Sequence, residues 1–160
     1  MGNNYNSYSS YNKNQNSQYY GSQKPTVNNP VTLCSQQVKQ SLSIEYASAD
    51  VFLPTGKAYK FASELKDIPS SQMRKILDEV KSVLFAMQNG NVLTNEVKSK
   101  LFMIVPMTAY VYGRYKNYRN LYDFVRNHLN NDTIKNFADI KAFDKLYTCI
   151  IAYHKTLSSK

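Results

Sequence analysis

The residues of this chain that are best suited to chemistry lie in a short basic and aromatic segment. It reads Arg114-Tyr115-Lys116-Asn117-Tyr118-Arg119, with three cations and two tyrosines in six residues. Cations neutralise the phosphates of a nucleic acid, and tyrosine rings stack on bases or form hydrogen bonds, so this alternation suits RNA. A solvated helix end, whose cations complement the helix dipole, explains the same pattern equally well. The candidate RNA contacts from this segment are Arg114, Lys116 and Arg119, followed by Tyr118.

A second basic group stands just inside a predicted helix start and contains Gln72, Arg74 and Lys75. Cations in the first turn oppose the helix dipole, so this placement is mildly unfavourable by itself. A phosphate ligand would supply a reason for it, and a chance surface arrangement is the alternative. Arg74 and Lys75 are therefore further candidate RNA contacts, and Gln72 is a weaker candidate. Lys155, near the C-terminus, is another weaker candidate.

Residues that could support catalysis or bind a metal are few. Neither His128 nor His154 has a second histidine or cysteine three or four residues further on, and no glycine-rich loop could cradle a phosphate. Two cysteines, Cys34 and Cys149, are too few for a disulfide framework or a four-cysteine zinc site. We therefore predict no catalytic residue, metal, cofactor or small-molecule substrate. We expect His128 at an exposed helix end, His154 at the rim of the last helix and Cys149 as a reduced packing residue.

The charge balance indicates a polyanionic partner. The chain has 160 residues, with 20 Lys and Arg against 11 Asp and Glu, and a formal net charge of +9. This length allows one domain with a tail. Residues 1–56 contribute +1 from three bases and two acids, and residues 57–160 contribute +8 from seventeen bases and nine acids. The excess of base therefore belongs to the segment that we expect to fold, and nucleic acid is favoured over a membrane surface as its partner.

The N-terminal composition differs from the rest of the chain. Residues 1–30 contain eight Asn, five Tyr, five Ser and three Gln, with two lysines and no acid. Such a segment cannot bury enough apolar surface to offset backbone ordering, which costs about 1–2 kcal/mol per residue. We predict that residues 1–56, a low-complexity tail and a transitional segment, are largely disordered and that the helical domain spans 57–160. The tail is interpreted either as an untethered extension or as an RNA-binding or self-association arm.

From residue 57 onward the apolar residues recur with helical spacing, and no segment alternates with period two for long enough to form a strand. The predicted fold class is therefore all-α, a compact bundle of five to six helices preceded by a disordered Asn/Ser/Tyr-rich N-terminal tail. The predicted helices cover about 57–66, 71–88, 95–112, 118–129 and 139–157, with a short turn at 133–137.

Several residues predict where these helices begin or bend. Pro69-Ser70-Ser71 and Thr94 are placed to cap helix starts, and Asp132 is placed to cap the short turn at 133–137. Pro106 lies inside the third helix and predicts a kink there. The apolar run 101–113 is too short to span a membrane, so we interpret it as a helix buried at the centre of the domain.

Four segments of the chain together resemble one known family. They are Pro69–Leu77, with a Ser-Gln-x-Arg-Lys helix start, Leu101–Arg114, with a Pro-x-x-Ala-Tyr pattern ending in Arg, the weaker Tyr122–Arg126, and Ile150–Lys155, with Tyr-His-Lys. Their order and spacing, over about residues 57–157, resemble the small all-helical subunit of the type III-A CRISPR effector, the Csm complex. The chain departs from the family pattern at Met107, where many members carry Lys, and at its C-terminal Thr-Leu-Ser-Ser-Lys. The tail at 1–56 has no counterpart in this resemblance.

The resemblance implies a role. Such subunits stack in several copies along the effector, line the path of the guide RNA–target RNA duplex, and contact backbone phosphates without reading bases. They carry no active site and act in antiviral defence in the cytoplasm. The implied partners are guide RNA, target RNA, the other effector subunits and further copies of the same chain, with no membrane involved.

Three alternatives stay open at the level of sequence. A small helical DNA-binding transcription regulator would need a recognition helix, but the helix after the turn at 89–93 is mostly apolar. A small ribonuclease would use His128 or His154 as acid or base. The third alternative is the equivalent small subunit of the related type III-B complex, which shares fewer of these motifs.

Overall fold

The computed structural model describes residues 30–87 and 90–158, and their regular structure is helical throughout. The predicted all-α bundle of five to six helices is confirmed, since six of the helices in this part have eight residues or more. The tail at 1–29, predicted to be disordered, lies outside the described residues. The α-helices are α1 Leu42–Glu45, α2 Lys57–Glu64, α3 Ser70–Ala86, α4 Asn95–Phe102, α5 Ile104–Arg114, α6 Arg119–His128 and α7 Phe137–Leu157, with 3-10 turns at Ala49–Phe52 and Lys116–Tyr118.

The longest helix, α7, supplies the centre of the core. It begins with a capping box, in which the Asn136 side chain accepts from the Asp139 N–H and the Asp139 carboxylate accepts from the Asn136 N–H. Its inward residues recur at helical spacing, and α1, α2 and α3 all pack against it. Phe143 and Tyr147 are completely buried and stack with ring centroids 5.6 Å apart.

The helices α3 and α7 run antiparallel. Near the start of α3, the Ile68 carbonyl oxygen lies 2.9 Å from Nε2 of His154. Further along, Lys81 Nζ and an Asp144 carboxylate oxygen form an ion pair at 2.7 Å. The end of α7, which includes Lys155, therefore lies beside the start of α3.

Both histidines are buried, so the predictions of an exposed His128 and of a rim His154 are wrong. Each side chain is only 1% exposed. In His128, Nδ1 donates to the Phe124 carbonyl oxygen at 2.7 Å, which leaves Nε2 to accept from the Tyr46 hydroxyl at 2.5 Å. Burial lowers the pKa of the His128 imidazole to about 4. Both errors arise because the burying groups come from segments distant in the sequence.

The prediction that residues 1–56 are largely disordered is wrong for their described part, residues 30–56. The Glu64 carboxylate accepts hydrogen bonds from the N–H groups of Leu33 and Cys34 at 2.7 and 2.8 Å. Cys34 and Leu42 are completely buried in the same core as the later helices. The folded bundle therefore includes chain that precedes Lys57.

The far end of this N-terminal segment is tied to the start of α7. The Leu42 N–H donates to the Thr133 carbonyl oxygen at 3.0 Å, and the Ser43 N–H donates to Asp139 Oδ1 at 2.9 Å. Asp139 thus caps its own helix and holds α1 in place. The predicted short turn at 133–137 does not form, because the N–H groups of Lys135 and Asn136 donate to the Asp139 carboxylate, at 2.8 and 3.1 Å.

Of the three predicted caps, the structure contains one. Thr94 is confirmed as a cap, since its Oγ1 accepts from the Val97 N–H at 3.2 Å. By contrast, α3 begins directly after Pro69 without a side-chain cap. Asp132 caps no helix, and its own N–H donates to the side-chain oxygen of Asn130 at 2.9 Å.

The predicted kinked helix is divided into α4 and α5 at Met103. Pro106 therefore falls in the first turn of α5, where its missing N–H leaves no helical hydrogen bond unmade. The prediction that this segment is buried at the domain centre is wrong. Met103, which immediately precedes α5, lies on one face with Met107 and Tyr110 of that helix, and the three are 57%, 44% and 67% exposed.

The stability of the protein should fall as the pH is lowered from about 7.5 to about 5. Folded His128 stays neutral because its pKa is about 4, whereas in the unfolded chain the pKa returns to about 6.5. The unfolded state takes up the proton first, so about 2 kcal/mol of unfolding free energy is lost over this interval. Urea denaturation at the two pH values measures the loss.

A His128→Phe variant serves as the control, because the ring packing is kept and the titrating group is removed. It should lose much less stability over the same interval. A pH dependence equal to that of the unaltered protein would contradict the assignment to His128.

Candidate nucleic-acid interface

Arg114 lies at the C-terminal end of α5 between two exposed tyrosines. Its guanidinium carbon is 5.8 Å from the ring centroids of both Tyr110 and Tyr115. Nη1 also donates to the Tyr110 hydroxyl at 3.4 Å. Cation–π attraction and this bond hold the guanidinium at the surface, with most of its donors still facing solvent.

A second array crosses from α5 to α6. Tyr112 and Tyr122 are stacked, with ring centroids 5.6 Å apart and planes inclined by 12°. Lys116 Nζ lies 4.8 Å from the Tyr112 centroid, and Arg126 Cζ lies 5.5 Å from the Tyr122 centroid. Each ring of the stacked pair therefore has one cation over it.

Tyr118 positions these two arrays. Its side chain is only 9% exposed and belongs to the hydrophobic core, and its N–H donates to the Tyr115 carbonyl oxygen at 3.1 Å. This anchor closes the 3-10 turn and lets α6 pack back along α5. Tyr118 was a second-rank RNA contact in the sequence, and its burial leaves little surface for a ligand.

The candidate contact Arg119 shares a carboxylate with a neighbour. Asp123, whose side chain is 6% exposed, lies 3.5 Å from Arg119 Nε and 3.0 Å from Arg126 Nε. Two cations on one carboxylate leave a net positive charge at the surface. The pairing also fixes both guanidinium groups along α6.

Sequence reasoning missed four residues of this surface, namely Tyr110, Tyr112, Tyr122 and Arg126. A signal for them was present in the spacing, because within residues 110–126 a cation follows a tyrosine by four residues in four places. We define the cation–tyrosine surface by this set and its immediate neighbours. Its members are Tyr110, Tyr112, Arg114, Tyr115, Lys116, Tyr122 and Arg126.

The second basic group lies next to this surface. Arg74 and Lys75 are exposed on α3, and Gln72 is half-buried. Gln72 and Lys75 line a cavity of about 50 Å³ together with Met107 and Val111 of α5. Because Arg114 follows Val111 by one helical turn, the start of α3 and the end of α5 contribute to neighbouring parts of one face.

Lys155 is exposed on the last turn of α7. It follows His154, which contacts the chain just before α3, so it lies at the same end of the bundle as the start of that helix. The structure thus brings the α3 candidates close to α5 on one side and to the end of α7 on the other.

No metal centre or reactive thiol accompanies this surface in the described residues. Within 30–87 and 90–158, no group of three or more His, Cys, Asp or Glu side chains could hold a metal ion. Cys149 is half-buried, its Sγ lies 3.7 Å from the Phe52 carbonyl oxygen, and burial raises the pKa of its thiol. None of the helices in these two ranges is long and apolar enough to cross a membrane.

The stack between Tyr112 and Tyr122 should be measurable as a coupling free energy. Stacked aromatic pairs contribute about 0.5–1.5 kcal/mol beyond their buried area, so a double-mutant cycle of Tyr112→Ala and Tyr122→Ala should give about 1 kcal/mol. Urea denaturation of the four proteins measures it. Tyr110→Ala is the matched control and, as an exposed substitution, should change stability by no more than about 0.5 kcal/mol. Additive effects of the two substitutions would contradict the stack.

Comparison with known proteins places the chain in a family. The family model for type III-A Csm2 matches residues 52–160, which is more than half of the sequence. Neither the curated proteins nor the solved structures contain a match to this chain. The matched region includes both α3 and the cation–tyrosine surface. The chain belongs to the type III-A Csm2 family and is a small subunit of the Csm effector complex.

Proposed function

We propose that this chain is a non-catalytic, RNA-binding small subunit that contacts the backbone phosphates of guide and target RNA. Several copies stack along the guide–target path, beside the other effector subunits, and serve antiviral defence. The observation that carries the proposal is the cation–tyrosine surface next to the exposed cations of α3. The concentration of net charge, +8 on residues 57–160, supports it.

The arrangement of the tyrosines favours contact with phosphates over contact with bases. Tyr112 and Tyr122 stack on each other, and Lys116 and Arg126 lie over the same two rings. Little ring surface in this array is therefore left for a base to stack on. The cations and the phenol hydroxyl groups suit phosphate oxygens, which are spaced alike in every sequence.

The start of α3 extends this path. Its first turn has no side-chain cap, so backbone N–H groups and the positive end of the helix dipole act together with Arg74 and Lys75. Lys155 adds a cation at the same end of the bundle. We infer that these residues extend the route of an RNA backbone that begins at Arg114.

The ribonuclease alternative receives no support from the two histidines. His128 has both ring nitrogens engaged, by Phe124 and by Tyr46, and it is 1% exposed. His154 is equally buried. A general base must reach the proton that it removes, and these side chains cannot reach a bound RNA.

Exposed apolar residues support the proposed assembly. The side chains of Met103, which immediately precedes α5, and of Met107 face solvent, and Phe85 and Val92 are 73% and 66% exposed near the end of α3. Contiguous apolar patches are typical of surfaces that other chains cover, and Met103 and Met107 lie one helical turn apart on one face. They fit a subunit that is flanked by copies of itself and by larger partners.

Replacing Arg74 and Arg114 together by Ala should weaken binding of single-stranded RNA by the purified full-length protein. About four phosphate contacts predict a slope of log affinity against log salt of roughly −3, and removal of two contacts should reduce it to roughly −1.5. Fluorescence anisotropy over a range of salt concentrations measures both slopes.

The matched control is Lys135→Ala with Lys141→Ala, which removes the same charge from exposed positions at the opposite end of α7. The control should keep a slope near that of the unaltered protein. Equal slopes for all three proteins, or binding that ignores salt, would contradict the proposed contacts.

The purified protein should leave RNA intact. Incubation with a labelled single-stranded RNA, followed by gel electrophoresis, is expected to show no cleavage while anisotropy shows binding. Cleavage that disappears in a His128→Phe and His154→Phe double variant would overturn the non-catalytic assignment.

A further inference from the structure

A polar groove lies beside the cation–tyrosine surface, between the turn at 32–35 and the start of α6. Thr32 and Ser35 line it on one side, and Arg119, Asn120 and Asp123 of α6 line it on the other. Its volume is about 380 Å³, which lies within the range of roughly 300–1,000 Å³ that is typical of small-ligand sites. The groove is therefore large enough to receive a group of the size of one nucleotide.

The α6 side of the groove is positively charged although it contains a carboxylate. Asp123, which is 4% exposed, lies 3.5 Å from Arg119 Nε and 3.0 Å from Arg126 Nε, so two guanidinium groups share one carboxylate. The Arg119 side chain is 48% exposed, and its Nη groups donate to no acceptor among the residues that the structure describes. These donors stay available to a phosphate. Because Arg126 belongs to the cation–tyrosine surface, the groove continues that surface along α6.

The opposite side of the groove is a turn that other contacts hold in place. The Thr32 N–H donates to Ser35 Oγ at 3.1 Å, and Ser35 Oγ donates to the Thr32 carbonyl oxygen at 2.8 Å. The Glu64 carboxylate accepts from the two N–H groups between them. A turn that is fixed in advance loses little conformational entropy when a ligand binds. This side of the groove precedes residue 52, where the match to the family model begins.

Two polar side chains that line the groove keep hydrogen-bonding capacity. Asn120 Nδ2 donates to the Glu64 carbonyl oxygen at 3.1 Å, whereas its Oδ1 accepts from no donor within 30–87 and 90–158. The Thr32 hydroxyl accepts from the Ser35 N–H at 3.2 Å, and within the same ranges its own proton is donated to no acceptor. A guanidinium and a hydroxyl donor suit phosphate oxygens, and an amide oxygen suits the 2′-hydroxyl of a ribose.

We propose that this groove holds one ribonucleotide of the RNA backbone, with its phosphate on Arg119 and Thr32 and its 2′-hydroxyl donating to Asn120 Oδ1. The inference rests on the RNA-binding role proposed above and adds to it a preference for RNA over DNA. Exposed cations alone do not supply that preference, because they attract the phosphates of both kinds of strand. RNA is favoured over an acidic peptide of another subunit as the occupant, because the groove continues the surface along which the RNA backbone is proposed to run.

The first test uses the unaltered full-length protein and two single strands of one sequence. One strand is RNA, and the other is a 2′-deoxy strand that keeps uracil, so that only the 2′-hydroxyl differs. Fluorescence anisotropy at fixed salt should show a roughly three- to tenfold higher affinity for RNA, the range that one hydrogen bond of ordinary strength supplies. Equal affinities for the two strands would overturn the ribose contact, and this result needs no variant protein.

The second test asks whether Asn120 is the source of the preference. Asn120→Ala should bring the ratio of RNA affinity to DNA affinity close to one, mainly because RNA binds more weakly. The matched control is Asn131→Ala, which removes an exposed asparagine beyond the other end of α6 whose Oδ1 accepts from Lys98 Nζ at 3.3 Å. The control should keep the ratio of the unaltered protein.

The outcomes separate the groove from the proposed function. If Asn120→Ala keeps the ratio while Arg74→Ala with Arg114→Ala weakens RNA binding, the groove proposal is overturned and the proposed function stands. If the protein does not bind RNA, the proposed function fails and the groove proposal fails with it. If Asn120→Ala keeps the ratio but lowers the amount of this subunit in the purified effector complex, the groove is a docking site for another subunit and the nucleotide proposal is overturned.

Discussion

The bundle depends on the burial of one face of α7. Ile140, Phe143, Tyr147 and Ile150 lie on this face with no exposed surface, and burial of each Ile or Phe side chain contributes about 1.5–3 kcal/mol. Three other helices pack against α7, and α3 does so in the antiparallel direction. That direction brings the end of α7 to the start of α3, so the packing of the core also decides which cations lie near one another.

The cation–tyrosine surface depends on a contact between two helices outside this core. The stack of Tyr112 on Tyr122 joins α5 to α6, and each ring carries a cation four residues further on. Long flexible side chains lose conformational entropy when they bind a phosphate. A Lys or Arg that is already held over a tyrosine ring has fewer conformations to lose, so its entropy cost on binding is smaller. A surface built in this way grips a charged backbone and has little means of distinguishing bases. That property suits the proposed role, in which the subunit contacts guides and targets of any sequence.

The helices were largely predictable, because a period of 3.6 residues in the apolar pattern survives without knowledge of the tertiary fold. The burial of single polar groups was not predictable, because it depends on partners far along the chain. Tyr46 is the partner of His128, and Glu64 is the partner of the backbone at Cys34. The apolar character of α5 suggested a central helix, yet Met103 and Met107 face outward. The basic clusters were found from their spacing, while the stack that holds Lys116 became visible only when α6 folded back on α5.

The central proposal is that RNA runs along α3, α5 and α6 and is held by its backbone. Photocrosslinking from azidophenacyl groups attached to phosphorothioates of the RNA backbone in the assembled effector complex, followed by mass spectrometry of this subunit, tests it most directly. We expect crosslinked peptides that contain 110–126 and the start of α3 at 70–75, with the same positions recovered for guides of unrelated sequence. Crosslinks confined to α1 and the first half of α7, or positions that shift with the guide sequence, would contradict it.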